Sequence, residues 1–291
     1  MQTSKPLART RKGSRRTVEV CCAAWVDLLG YGILLREAGF QPLHPAAQRA
    51  VERLRSFHRD LASSSMRAFN MLVMNDGAVA FKDLSPRSRS VTADFLQRAW
   101  ALYQDINKHD MSDGFPGTRM VVAAGFRVRM MNIVNYGKRY DKIKERRHEN
   151  KISEDHAIAE ALRARPYFGV IPELEANFAF TKAYLVDQNK KYDEKNKKCD
   201  EKDNKGDFPG PAMYVDAALF DEEIPDWITV SRRIPWNYPG LTSTFLQIEG
   251  LDRKRAGQSN HAGILSAFEI ASRLGASQDL IDQMRASSRT R

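Results

Sequence analysis

The stretch "VEVCCAAWVDLLGYG", residues 18–32, contains the most apolar run of the chain. Up to Val26 it has the composition of a strand that is buried on both faces. Asp27 then stands where that strand should end, and Gly30 and Gly32 follow in a turn. A buried charge is costly unless it is paired or binds a metal ion. Asp27 therefore indicates a functional site, although capping of the following segment would also explain it.

The composition is that of an ordinary globular protein. The chain has 291 residues, of which 42% are hydrophobic and 28% charged, enough for one large domain or two small ones. The net charge of +10 lies mainly in the tails, because residues 1–16 carry six basic residues and residues 284–291 carry three. We therefore expect basic, disordered tails at 1–16 and 281–291 and no stable nucleic-acid partner, although flexible tails could touch polyanions.

The same stretch argues against export and membrane insertion. Glu19 and Asp27 interrupt the apolar run, and no segment approaches the roughly 18 uncharged apolar residues of a membrane span. The chain has three cysteines, and two of them, Cys21 and Cys22, are adjacent, which does not suit a disulfide framework. These features predict a cytoplasmic protein without a membrane partner.

The first half of the chain alternates strand and helix patterns. Apolar spacing predicts helices at 45–62 and 90–107, and Asn75-Asp76-Gly77 predicts a hairpin turn within 69–84. Residues 118–130 return to a strand pattern. This order is typical of a ferredoxin-like α+β fold, with an antiparallel-rich sheet and helices on one face.

The second half reads as additions to this core. We expect a charged helical segment at 140–165, an apolar helix at 175–188 and a mobile charged insertion at 189–206. Two strands at 212–220 and 226–234, a proline-bounded surface loop at 232–240 and a last helix at 261–275 should follow. The loop, "RRIPWNYPG", could instead offer a stacking surface. The folded domain would then span 17–280.

Two carboxylates are expected to meet at one end of the sheet. Asp27 lies at the end of the first strand, and Asp76 lies at the tip of the hairpin whose entering strand should be its neighbour. Paired carboxylates favour Mg²⁺ or Mn²⁺, which could bridge a triphosphate and assist displacement at phosphorus. The simpler alternative is that Asp76 is only a turn residue.

Three motifs carry a family resemblance over roughly residues 18–190. "WVDLLGYG" (25–32), "MNDGAVAFKD" (74–83) and "TRMVVAAGFRVR" (118–129) resemble the first metal-binding strand, the hairpin and the next core strand of class III nucleotide cyclases. The resemblance implies that the ribose 3'-oxygen of a nucleoside triphosphate attacks the α-phosphorus and pyrophosphate leaves. It further implies that Asp27 and Asp76 bind two Mn²⁺ or Mg²⁺ ions, with the Leu28 carbonyl as a further ligand. A homodimer is implied as well, each site being completed by the partner chain.

Two positions depart from the family pattern. Leu72 stands four residues before Asp76, where purine cyclases carry a polar residue that reads the base, and an aliphatic side chain cannot do so by hydrogen bonding. The family's catalytic Asn and Arg are matched only by Asn177 and Lys182, and Lys supplies charge without a bidentate fork. The alternative for Asn177 and Lys182 is an ordinary core helix.

In these two features the sequence resembles the pyrimidine cyclases of Pycsar anti-phage systems. That resemblance implies formation of cyclic CMP or cyclic UMP from CTP or UTP, and a separate TIR or membrane effector that the product activates. Tyr31, Arg67 and Asn70 are candidates for a base pocket around Leu72. An adenylate or guanylate cyclase, or a degenerate module that binds a nucleotide without catalysis, are the alternatives.

Overall fold

The structure, a computed structural model, describes residues 16–130, 174, 176–188, 192–193, 198–199, 208–259 and 261–289. The chain divides into two compact units. The larger comprises Glu19–Arg127 and Asn177–Arg291, and it holds every site residue discussed below. The smaller comprises Met1–Val18 and Val128–Ala176, and in its described part Val128 N donates a hydrogen bond to Ala176 O at 3.1 Å.

The described part of the chain contains both strands and helices and ends in helices. In chain order the elements are β1 (Arg16–Leu28), α1 (Tyr31–Glu37), α2 (Pro45–Ser64), β2 (Asn70–Met74), β3 (Gly77–Asp83), α3 (Ser90–Ser112), β4 (Thr118–Met130), α4 (Phe178–Asp187), β5 (Tyr192–Asp193), β6 (Lys198–Cys199), β7 (Ala212–Asp216), β8 (Ile228–Tyr238), β9 (Leu241–Leu251), α5 (Arg253–Gln258), α6 (Ala267–Arg273) and α7 (Gln278–Arg289). A short 3₁₀ helix, Ala217–Leu219, follows β7.

Seven strands form one sheet in the order β2-β3-β1-β4-β7-β9-β8. Strands β2 with β3, β3 with β1, β7 with β9 and β9 with β8 pair antiparallel, whereas β4 and β7 pair parallel. The predicted α+β fold with an antiparallel-rich sheet is therefore confirmed. The predicted helices at 45–62 and 90–107 and the hairpin at Asn75-Asp76-Gly77 are confirmed as well.

Helices cover both faces of the sheet around β1. Side chains of a strand alternate between the two faces. In β4, Thr118 contacts Asn107 of α3, whereas the next residue, Arg119, contacts Asp187 at the end of α4. The expectation that the helices share one face is therefore wrong. Because both faces of the sheet are covered, β1 is apolar without alternation, and Val20 through Val26 are all buried.

The loop expected at 232–240 is a strand and a turn. Residues 228–238 form β8, which pairs with β9 over its whole length, and β9 had no counterpart in the sequence prediction. Pro235 is tolerated because β8 lies at the edge of the sheet. Trp236 is buried and packs against Phe245 of β9, so it offers no exposed stacking surface.

The C-terminal segment is more ordered than its charge suggested. Residues 281–289, expected to be a disordered tail, belong to α7, and Ile281 and Met284 are buried. The N-terminal segment 1–15 and the charged segment 140–165 lie outside the described residues, as does most of the insertion 189–206. Within the described ranges, none of the helices has both the length and the apolar character needed to cross a bilayer.

The cysteines of β1 allow a test of this core. Burial raises the pKa of the Cys21 thiol to about 12 and also raises the pKa of Cys22, so neither forms a thiolate at pH 8. In a Cys199→Ser variant we expect an aromatic disulfide reagent to leave both thiols unmodified in the native protein. Both should react after unfolding in guanidinium, and equal rates in the two states would contradict the assigned burial.

Candidate active site

The structure brings Asp27 and Asp76 together at one end of the sheet. Asp27 pairs with Gly77 in the antiparallel register of β1 and β3, and Asp76 precedes Gly77 in the turn. The neighbour of β1 is therefore the strand that leaves the hairpin, and the expectation that it is the entering strand is wrong. Leu28 N donates a hydrogen bond to Asp76 O at 3.1 Å, which joins the end of β1 to the turn. We call Asp27 and Asp76 the carboxylate pair, and the Leu28 backbone lies beside it.

The hairpin turn has a defined shape because of Gly77 and Asn75. A Cβ added at Gly77 would lie 2.4 Å from the Trp25 indole, so the ring occupies the space that a side chain would need. Asn75 adopts a positive φ of 57°, which asparagine tolerates, and its Nδ2 donates to Asp76 Oδ1 at 3.0 Å. Asp76 is therefore held by the local turn as well as by the strand pairing.

The environment of Asp27 favours a bound cation. Burial raises the pKa of Asp27 to about 7, and the charges of Asp187 and Asp76 raise it further, while Arg119 and Arg53 act in the opposite direction. Among the described residues, none donates a hydrogen bond to the Asp27 carboxylate or forms an ion pair with it. A divalent cation would supply the missing positive charge.

The donor set fits Mg²⁺ or Mn²⁺. Two carboxylates and the Leu28 carbonyl offer oxygen atoms only, and Mg²⁺ typically binds one or two carboxylates together with water and substrate phosphates. Within the described ranges, no group of three or more His, Cys, Asp or Glu side chains is placed to hold a metal ion. A cation at the carboxylate pair would therefore take its remaining ligands from water or phosphate.

Asp187, a third carboxylate near the pair, is a residue that the sequence did not reveal. It ends α4, its side chain is fully buried, and its oxygens accept hydrogen bonds from Trp25 Nε1 at 3.0 Å and from Arg119 Nε at 2.6 Å. Trp25 and Asp187 are 162 positions apart, which leaves no spacing pattern to detect. Only the apolar character of α4 signalled that this helix would be buried.

Two arginines stabilise the neighbouring backbone, the buried Arg53 and the partly exposed Arg119. Arg119 also donates to the carbonyl oxygens of Asp187 and Phe208, at 2.7 and 3.0 Å. Arg53 of α2 binds Asp110 of α3 through two hydrogen bonds of 2.7 and 2.8 Å. Asp110 in turn accepts from the backbone N–H of Gly117, at 2.9 Å. Because Gly117 O accepts from Leu29 N, this ion pair helps to fix the chain just beyond Asp27.

The candidate base-contacting residues divide into two groups. Tyr31 is buried at the start of α1 and follows the end of β1 by three residues, which places it near Asp27. Burial and the Asp76 charge both raise its pKa. Leu72 lies in β2 and pairs with Val79 of β3. Arg67 and Asn70 are exposed at the opposite end of β2 from the turn, so the structure does not bring them to the pair.

Asn177 and Lys182 are both engaged within the chain. Asn177 caps α4, accepting from Phe180 N at 3.0 Å, and its Nδ2 lies 3.8 Å from Cys21 Sγ. Lys182 is 2% exposed and forms an ion pair of 2.5 Å with the buried Asp216. These contacts match the alternative of a core helix, and a role of either side chain at phosphate stays a prediction.

Comparison with known proteins gives similarity at the level of solved structures. No protein-family profile and no curated protein matches the chain. Similar structures include the guanylyl cyclase Cya2 (12% identity, TM-score 0.45, covering 83% of this chain and 96% of that chain) and the adenylyl cyclase CyaB from P. aeruginosa (11%, 0.44, 82% and 98%). A third is the dimeric guanylyl cyclase domain of the RhoGC fusion protein from Blastocladiella emersonii (8%, 0.38, 82% and 98%). Similarities of this size do not establish an activity.

Because the pKa of Asp27 is raised, removing its charge is expected to increase the stability of the metal-free protein, and the increase should depend on pH. Between about pH 4 and pH 7 the native carboxylate binds more protons than the unfolded one, so its contribution to stability falls as pH rises through this window. In metal-free protein, Asp27→Asn should raise the melting temperature by a few degrees at pH 8 and by much less at pH 4. Asp105→Asn, at an exposed position on α3, is the matched control. A melting temperature that falls at pH 8 would refute the assigned environment.

The Lys182–Asp216 ion pair predicts a stability effect that a purely catalytic residue would not show. Lys182→Met leaves Asp216 buried without its cation, which typically costs about 3–5 kcal/mol in the free energy of unfolding. Urea unfolding followed by circular dichroism measures this loss. The double variant Lys182→Met/Asp216→Asn should be more stable than the single one, and equal stability of the two would show that the ion pair matters little.

Proposed function

We propose that this protein is a nucleotidyl cyclase that acts through cations bound at the carboxylate pair. The observation that carries the proposal is the convergence of Asp27 and Asp76 at the sheet end, where no described residue neutralises Asp27. Such a site attracts divalent cations and, through them, a triphosphate. The same two residues are the ones that the resemblance to class III cyclases identifies.

The proposed reaction is an intramolecular displacement. The ribose 3'-oxygen forms a bond to the α-phosphorus, the bond from that phosphorus to the bridging oxygen breaks, and pyrophosphate leaves with the electron pair. Asp27, Asp76 and the Leu28 carbonyl would hold two Mn²⁺ or Mg²⁺ ions. When bound, these ions would promote loss of the hydroxyl proton and offset the charge of the phosphates. The turn and the end of β1 keep the two carboxylates at a fixed spacing.

A pyrimidine nucleoside triphosphate is the proposed substrate. Leu72, in the strand that enters the turn, has no hydrogen-bonding group with which to read a purine edge. Tyr31, near Asp76, is the proposed contact for the sugar or base. CTP and UTP are therefore the proposed substrates, and cyclic CMP or cyclic UMP the product.

A homodimer is proposed because α4 presents apolar side chains to solvent. Phe178 is 54% exposed and Tyr184 is 38% exposed, although both belong to a helix with no strongly polar face. Burial of these rings against a second copy would be favourable. The partner could also supply the cation that Lys182, bound to Asp216, does not offer to a phosphate.

The proposed biological role is a second-messenger signal in anti-phage defence. In this role the cyclic pyrimidine nucleotide activates a separate TIR or membrane effector, and the cyclase acts in the cytoplasm. The support for this part is the Pycsar resemblance of the sequence alone. The effector is expected to be a separate protein rather than a stable subunit.

An assay with purified protein, Mn²⁺ and each of ATP, GTP, CTP and UTP tests the proposal, with products identified by mass spectrometry. We expect a cyclic pyrimidine monophosphate from the wild type. Asp27→Ala and Asp76→Ala should each lower the rate by a factor of about 100 or more, because each removes a ligand of ions that supply several kcal/mol. Asp105→Ala should retain activity.

The other outcomes separate the parts of the proposal. A cyclic purine product, lost in both variants, would keep the chemistry and overturn the base assignment made from Leu72. Binding of nucleotide and Mn²⁺ without any cyclic product, in the presence of extracts from infected cells as well as without them, would favour the module that binds a nucleotide without catalysis.

A further inference from the structure

Asp187 accepts hydrogen bonds from two nitrogens of the Arg119 guanidinium. Its Oδ1 accepts from Arg119 Nε at 2.6 Å, and its backbone oxygen accepts from a terminal guanidinium nitrogen at 2.7 Å. The other terminal nitrogen donates to Phe208 O at 3.0 Å. Two of these three hydrogen bonds hold the guanidinium at the C-terminal end of α4, and the bond to Oδ1 is the one that the Asp187 side chain makes.

Without these hydrogen bonds, Arg119 could form an ion pair with Asp27. The hydrogen bond from Leu29 N to Gly117 O, continued along the neighbouring strands β1 and β4, brings Arg119 across from Asp27. Both are odd-numbered and lie on the face that α4 covers. In the present arrangement the charge of Arg119 already lowers the pKa of Asp27. Directly opposed residues of opposite charge on adjacent strands normally pair.

We propose that Asp187 is a positioning residue that holds Arg119 away from Asp27, so that the carboxylate pair stays open to divalent cations. The inference rests on the proposed function in one respect, namely that the pair binds cations. Asp187 itself is fully buried, and its carboxylate accepts hydrogen bonds from Trp25, Arg119 and Gln188, so it acts through its partners and not as a ligand. An arginine paired with Asp27 would compete with the metal ion for the same oxygens.

Asp187→Asn isolates the charge of this residue. The amide oxygen can still accept from the Trp25 indole, whereas the amide no longer compensates Arg119. We expect the Kd for Mn²⁺, measured by titration with detection of free Mn²⁺ by electron paramagnetic resonance, to rise about tenfold or more, the equivalent of about 1.4 kcal/mol. The double variant Asp187→Asn/Arg119→Met, which removes the competing cation, should regain nearly the wild-type Kd.

The rescue distinguishes positioning from general support of the fold. An Asp187→Asn protein that binds Mn²⁺ as tightly as the wild type would overturn the proposal. A double variant that is folded but binds as weakly as the single one would overturn it too, since the loss would then not come from Arg119. Asp187→Ser, which keeps an acceptor near the indole, is the second variant if the first does not fold. The exposed control Asp105→Asn should bind Mn²⁺ as the wild type does.

A metal-free measurement separates this inference from the proposed function. In wild-type background at pH 8, Asp27→Asn is expected to raise the melting temperature. In Asp187→Asn background it should lower it, because it removes the new pair with Arg119. A rise of similar size in both backgrounds would overturn the inference. Failure of the wild type to bind Mn²⁺ would instead refute the cation site, and this sign change would still decide the role of Asp187.

Discussion

The candidate site depends on the contact between the Trp25 indole and Gly77. The ring lies where a side chain at position 77 would stand, and Gly77 is both the partner of Asp27 and the neighbour of Asp76. The indole is held from the other side by Asp187 and by the edge of Tyr184, at 5.4 Å between ring centroids. One aromatic side chain therefore fixes the turn, the strand end and the helix relative to each other.

The charges of this core are arranged so that one of them lacks a partner. Lys182 with Asp216 and Arg53 with Asp110 are buried pairs, and the buried Asp187 pairs with the partly exposed Arg119, so that each of these charges meets an opposite one. Such pairs are worth little in net stability but are costly to break, so they define which arrangement of helices is allowed. Asp27 is different, because no described residue pairs with it and its neighbours Asp76 and Asp187 are negative. Such an excess of negative charge is typical of a site that is completed by a ligand.

The sequence was informative where the signal was local. Helix periodicity predicted α2 and α3, and the Asn-Asp-Gly turn predicted the β2–β3 hairpin. The neighbour of β1 was predicted wrongly, as the strand that enters the hairpin, because nothing in the sequence of β2 or β3 states which of them pairs with β1. The sequence failed where the determinant was a contact between distant segments. Asp187 and Arg119 meet across 68 residues, and nothing near either residue indicates that meeting. Strand β9 was missed because its polar positions face solvent on a hairpin at the sheet edge, where alternation is weak and the preceding strand contains a proline.

The close approach of α4 to β4 has a further consequence, for the tolerance of this core to sequence change. A Cβ at Gly125 would lie 2.5 Å from the backbone nitrogen of Ala179, so the first turn of the helix lies directly against the strand's main chain. The distance between helix and sheet is therefore limited at this point by backbone atoms. Smaller side chains at neighbouring core positions cannot bring the start of α4 nearer to β4 than this contact permits. At position 125 itself, the smallest change available, a single methyl group, already displaces the helix.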